Sequence, residues 1–194
     1  NNKAMHQIYH DLKHQIDFIR NEKSASKRES YLAEMEKVVT LRDAEMNTGN
    51  AILDTVLTSK SLRCAEEGIV MTCFADAHDM GFIDMMDICS IFGNAIDNAI
   101  ECVEKIADKN MRLIKLTVRT QNRFLLIRVE NCTDKAVDLN GGQPATTKEN
   151  KESHGYGIKS IRKAAEKYGG CMTLEQQDGW FIMTVLIPLA EENK

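Results

Sequence analysis

The sequence predicts an α+β protein: a helical hairpin over residues 1–50, then, over residues 51–194, a two-layer α/β sandwich in which helices cover one face of a mixed, mostly antiparallel sheet. Three observations predict this. The first fifty residues carry two narrow apolar stripes at helical spacing, separated by a polar stretch. Beyond Gly68 the pattern changes to alternating runs suited to strands, joined by short polar turns. A long apolar helix and a shorter glycine-led one interrupt those runs, giving the order strand, helix, two strands, long loop, helix, two strands.

Met5, Ile8, Leu12, Ile16 and Ile19 form the first stripe, and Tyr31, Leu32, Met35, Val38, Val39 and Met46 the second, with polar Asn21–Glu29 as the expected loop. So little apolar surface makes a lone hairpin marginal. Pairing with a second copy into a four-helix bundle buries both stripes, so a homodimer is expected. Thr48-Gly49-Asn50 then punctuates the chain as a candidate hinge and domain boundary, with Asn50 suited to cap a helix over roughly Ala51–Glu66. Ile69–Phe74 reads as a short buried strand and residues 84–107 as the long apolar helix. Leu113–Arg119 and Phe124–Glu130 form a hairpin around Gln121-Asn122-Arg123. Residues 132–154 read as a functional lid, since a loop of roughly 20 residues is otherwise uncommon in a compact domain. A helix from about Tyr156 to Tyr168 follows, and strands near Cys171–Gln176 and Trp180–Ile187 close the chain around Asp178-Gly179.

Composition excludes several function classes. Lys+Arg total 25 against Asp+Glu 29, a net charge of −4, with no block of like charge to track a nucleic-acid backbone. The six cysteines (Cys64, Cys73, Cys89, Cys102, Cys132 and Cys171) lack the paired short spacings of zinc or redox motifs and read as reduced core residues of a cytosolic protein. No apolar run approaches the roughly 20 residues needed to span a bilayer, so these residues are expected to be soluble and cytoplasmic, with membrane attachment possible only through an upstream segment.

Two segments could carry chemistry. In Gly93-Asn94-Ala95-Ile96-Asp97-Asn98-Ala99-Ile100-Glu101 the two asparagines lie one turn apart on one face of an apolar helix. They are either polar residues on a half-exposed helix or amides awaiting a partner, which a Mg²⁺ ion bound to phosphates would provide. In His154-Gly155-Tyr156-Gly157 two glycines open a helix after the lid. They make either a plain loop-to-helix turn or a start whose outward N–H groups favour phosphate.

Taken together and in this order, the segments resemble the GHKL ATPase fold of sensor histidine kinases, particularly the Gram-positive quorum-sensing and virulence branch. GNAIDNAIE is similar to the N box, TTKENKESHGYGIKSI to the lid end and second glycine box, VENCTD stands where the first glycine box belongs, and YHDLKHQI resembles the H box. TGNAILDTVLTSK resembles the helix leading into the ATPase domain. The resemblance implies ATP and Mg²⁺ as ligands, with Asn98 on the metal and Asn94 in support. It places Gly155 and Gly157 under the phosphates, Asn131 against adenine, and Lys148 and His154 as phosphate contacts from the lid. Asn131 replaces the usual adenine-reading Asp, and the glycines expected just after it are absent. An Asn carbonyl can still accept from the adenine amino group while its amide donates to a ring nitrogen. Ser90 stands where hydrolytic relatives carry a water-activating Glu, which favours transfer to a protein acceptor over hydrolysis.

His6, His10 and His14 recur at one-turn intervals opposite the first stripe. They form a solvated face, a surface metal site, or a face holding a phosphoacceptor. The resemblance singles out His10, followed by Asp11 as in the H box, and compares Gln15 with a position that orients water for dephosphorylation. A neutral imidazole is available near pH 7, and a neighbouring carboxylate can fix its tautomer. The expected activity is autophosphorylation of His10 from ATP and relay to an Asp of a response regulator, in two-component signalling. Two alternatives stand beside it: a GHKL kinase acting on a partner's Ser, and a catalytically degenerate module that binds nucleotide and dimerises.

Overall fold

The computed structural model describes residues 24–26, 28–30, 32, 46–134 and 154–189, and the chain divides into two compact units, residues 1–43 and 44–194. In the first unit Ala25, Ser26, Arg28, Glu29, Ser30 and Leu32 are helical, and the Arg28 N–H donates to the Ser24 carbonyl at 3.0 Å. Helix is therefore under way inside the stretch expected to be a loop, because a polar run without Gly or Pro costs a helix little. The remainder of the expected hairpin, and its pairing with a second copy, lie outside the described residues.

The second unit runs α1 (Ala51–Glu66), β1 (Val70–Ala75), a 3₁₀ turn (His78–Met80), α2 (Met85–Val103), a second 3₁₀ turn (Lys109–Met111), β2 (Leu113–Gln121), β3 (Phe124–Cys132), α3 (His154–Lys167), β4 (Cys171–Gln177) and β5 (Trp180–Pro188). The sheet order is β1-β2-β3-β5-β4. β1 pairs parallel with β2 and the other pairs are antiparallel. The two hairpins turn through residues with positive φ, Asn122 (49°) with Arg123 (66°) and Asp178 (50°) with Gly179 (78°). That combination matches the right-handed twist of the flanking strands.

Each helix starts and stops on local chemistry. The Asn50 side chain accepts from the Ile52 and Leu53 N–H groups at 3.1 Å, so α1 is capped as expected. Gly68 and Gly169, at φ +67° and +72°, end α1 and α3 in the same way. In each case the next residue's N–H returns to a carbonyl of the last turn, Ile69 to Cys64 at 2.8 Å and Gly170 to Ala165 at 2.9 Å.

Alternation along the strands decides where the core sits. Ile114, Leu116 and Val118 of β2, Leu125, Ile127 and Val129 of β3, and Met183, Val185 and Ile187 of β5 are all buried under the helices. α2 supplies the opposing stripe, Ile88, Ile91, Phe92, Ala95, Ile96, Ala99, Ile100 and Val103. Each large aliphatic side chain stabilises by roughly 1.5–3 kcal/mol when fully buried. Truncating Phe92, which is fully buried, would cost about 3–5 kcal/mol.

Two expectations need correction. β1 is an edge strand, and only its Met71, Cys73 and Ala75 side packs on the core, leaving Val70 and Phe74 58% and 68% exposed. Cys89 and Cys171 are exposed, unlike Cys64 and Cys132, which are buried. Burial pushes the thiols of Cys64 and of half-buried Cys73 up to about 11, which leaves them unreactive. Thr48, in the candidate hinge, makes contacts within this unit. The Thr48 N–H and hydroxyl both donate to Asp54 Oδ1 (2.7 and 2.8 Å), and the Thr48 carbonyl accepts the Ala77 N–H at 2.8 Å. Among the described residues no helix is long and apolar enough to cross a membrane.

Candidate functional site

α2 starts at Asp84, whose carboxylate accepts the Met86 N–H at 2.8 Å, and its apolar stripe turns toward the sheet. That rotation leaves Asn94 and Asn98 half-buried on the flank, toward α3. The Asn94 Nδ2 donates to the Ser90 carbonyl at 2.8 Å and reaches the Ser90 Oγ at 3.4 Å. Its donor end is thereby tied back and its Oδ1 is turned outward. Asn98 differs: its Nδ2 is buried and has no hydrogen-bond partner among the described residues. An unsatisfied buried donor of this kind costs about 1–3 kcal/mol. Rotating the amide half a turn would put Oδ1 in the same place, since nitrogen and oxygen occupy equivalent positions.

The start of α3 faces these two amides. A methyl group on Gly157 would stand 3.6 Å from both Asn94 Oδ1 and Asn98 Nδ2. The first turn of α3, whose N–H groups have no partner within the helix and whose dipole end is positive, therefore faces the asparagines across a cradle. His154 and Gly155 lie in that turn. His10, Asp11, Gln15, Lys148 and the side chain of His154 lie outside the described residues, so the structure brings together Asn94, Asn98 and the glycine turn but leaves these unplaced.

Between the two asparagines, Asp97 points to the other side of α2 and meets α1. Both its oxygens accept from Lys60 Nζ (2.7 and 2.8 Å), and Arg63 Nη1 lies 3.0 Å from Oδ1. Two cations thus offset the Asp97 carboxylate, which lies between the two asparagines in sequence and would otherwise add negative charge near a bound phosphate.

Asn131 sits at the end of β3, 3% exposed, opposite Ile114 of β2 and Phe181 of β5. The strand runs two residues beyond the expected Glu130, so Asn131 is a strand residue, and so is Cys132, which the sequence reading places at the start of the lid. Its Nδ2 donates to the Cys132 carbonyl at 2.9 Å, and Cys102, one turn past Asn98 on α2, approaches the same carbonyl at 3.8 Å. The end of β3 is thereby joined to the asparagine face of α2.

This donor set fits a nucleotide held through Mg²⁺. No cluster of three His, Cys, Asp or Glu side chains among the described residues could hold a metal alone. Mg²⁺ suits such a place because it takes most of its oxygens from phosphates and water and needs only one or two from protein. Asn98 has an unused amide where a ligand would lie, and Asn94 presents an oxygen beside it. From the sequence Ser90 reads only as the place of a missing base. Its spacing, one turn before Asn94, was the signal that it holds the amide. Nothing in the sequence pointed to Lys60, Arg63 and Asp97.

A protein-family model described as a GHKL domain matches residues 83–188, more than half of the chain. No curated protein matches it. Among solved structures, a nucleotide-free orthorhombic form of the catalytic domain of histidine kinase ThkA aligns at 22% identity and a TM-score of 0.58, covering 74% of this chain and 93% of that one. A second nucleotide-free form of the same domain gives 20%, 0.57, 73% and 93%. At these identities the likeness is one of fold, an α/β sandwich with a five-stranded mixed sheet.

Proposed function

Since the chain belongs to the GHKL domain family, we propose that it binds ATP with Mg²⁺ and is the kinase portion of a sensor histidine kinase. The observation that carries the reading is the buried, unpartnered Asn98 amide under the first turn of α3. In this reading Asn98 holds the metal with Asn94 in support, Gly155 and Gly157 admit the phosphates, and Asn131 reads adenine. Lys148 and His154 add contacts from the lid segment. Mg²⁺ would neutralise charge on the phosphate oxygens.

The chemistry asked of the fold is positioning. An unprotonated ring nitrogen of His10 bonds to the γ-phosphorus as the bridging P–O bond breaks and ADP leaves with the electron pair. Asp11 orients the other ring nitrogen. The phosphoryl group then passes to an Asp of a response regulator, and Gln15 orients water for dephosphorylation. The working form is a homodimer on the cytoplasmic side of a membrane-bound sensor. The absence of a Glu at Ser90 supports transfer over hydrolysis.

A second reading, a catalytically degenerate nucleotide-binding module, draws support from the missing first-box glycines and from Asn131, which is 3% exposed and has one amide donor already bonded to the Cys132 carbonyl. One experiment separates the two. Incubation with radiolabelled ATP and Mg²⁺ should give acid-labile phosphate on the wild-type chain. Asn98→Ala should lose it together with Mg-ATP binding, while His10→Ala should lose it and keep binding. Phosphate on another residue in His10→Ala rejects the acceptor, and binding without any incorporation favours the degenerate module.

A further inference from the structure

α2 and α3 run antiparallel, so the two ends of α3 meet different parts of α2. Its start lies beside Asn94 and Asn98, and its end reaches the first turn of α2. There the Tyr168 hydroxyl donates to Asp87 Oδ2 at 2.6 Å and accepts the Asp84 N–H at 2.9 Å. Lys167 Nζ lies 2.5 Å from the same Asp87 oxygen, and the Phe82 and Tyr168 rings meet edge to face at 5.8 Å. The Lys167 ammonium, and after it the Tyr168 hydroxyl, hold the Asp87 carboxyl below the usual carboxylate range.

Between these ends α3 buries Ile161, Ala164 and Ala165, two of them small. Apolar burial is non-directional, so such a contact sets the distance between helices better than their position along each other. Hydrogen bonds are directional and supply what the apolar face lacks. Resting on the nucleotide-binding reading, we infer that Tyr168 and Asp87 are positioning residues of the phosphate subsite. They fix how far α3 stands along α2, and thereby whether its first turn meets Asn94 and Asn98. The eleven residues from Gly157 to Lys167 form a rod about 15 Å from first to last Cα. A displacement at the latched end is carried to the cradle, where an error of about 1 Å is enough to spoil alignment.

The full-length chain tests this with Tyr168→Phe, Asp87→Asn and the double variant, using calorimetry for Mg-ATP and NMR titration for adenosine, which lacks phosphates. Each single variant should lose Mg-ATP affinity by about tenfold, and the double variant no more than the weaker single, because both act through one latch. Adenosine affinity should stay within about twofold of wild type, since the end of β3 is held separately. Equal loss for both ligands would mean general loosening and overturn the inference, as would unchanged Mg-ATP affinity in folded variants. A wild-type chain that binds neither ligand would overturn the nucleotide reading and this inference with it. Wild-type binding with unaffected variants overturns this inference alone.

Discussion

Replacing Gly157 with alanine should move stability and binding in opposite directions. Gly157 lies inside α3 without a positive φ, so alanine fits the backbone. The new methyl would find Asn94 Oδ1 and Asn98 Nδ2 at 3.6 Å and Asn94 Cβ at 3.7 Å, all ordinary contact distances. No repacking is needed, and a helical Gly→Ala change stabilises by about 0.5–1 kcal/mol, chiefly by narrowing the unfolded ensemble. The same methyl projects into the space between the first turn of α3 and the two amides. A phosphate could no longer approach both, and Mg-ATP affinity should fall at least about tenfold, or about 1.4 kcal/mol. Urea denaturation and calorimetric titration on one preparation read the two effects. A variant that is destabilised, or that keeps wild-type Mg-ATP affinity, refutes the claim that this gap is the phosphate cradle.

Other expectations follow from particular contacts. A methyl on Gly170 would lie 2.4 Å from the Leu186 carbonyl and 3.0 Å from that of Ala165. Because both obstacles are backbone, Gly170→Ala should cost about 1–3 kcal/mol or more, seen as a lower denaturation midpoint; an unchanged midpoint contradicts the packing of α3 on β5. His78 Nδ1 lies 2.7 Å from Asp76 Oδ1, and the carboxylate raises the imidazole pKa while its own is lowered. The raised value means the His78 contribution to stability is full below its ordinary pKa of about 6.5 and is lost as pH rises through the raised one. The lowered Asp76 value means that its contribution is present above the ordinary carboxylate range and lost as pH falls through the depressed one. NMR should find His78 titrating above its ordinary value in the wild type and returning toward it in Asp76→Asn; identical titrations would remove the pair.

How much was legible follows from the range of each interaction. The helices and β-hairpins of residues 51–189 were, because their determinants are local. Asn50 caps α1 from a few residues away, the apolar spacing of α2 marks one face, and the turn residues at Asn122-Arg123 and Asp178-Gly179 sit between alternating runs. Asn94, Asn98 and Gly157 were legible as candidates through residue type and order. Their meeting was not. It depends on α3 lying antiparallel on α2, a fact of packing that no window of sequence contains.

The same limit explains what was missed. Asp97 finds Lys60 and Arg63 on another helix, and Asp87 finds Tyr168 eighty-one residues along the chain. Neither pair has a periodicity or spacing that could announce it. The exposed edge position of β1 is likewise a property of strand order, since Val70, Thr72 and Phe74 would read the same in a central strand. The sequence by itself thus determined which segments are helix and strand, because a cap, a turn or an apolar stripe acts on its neighbours. Only the tertiary structure decided which amide stays unpartnered, which carboxylate is offset and how far α3 stands along α2, because each is settled by groups that the chain brings together only on folding.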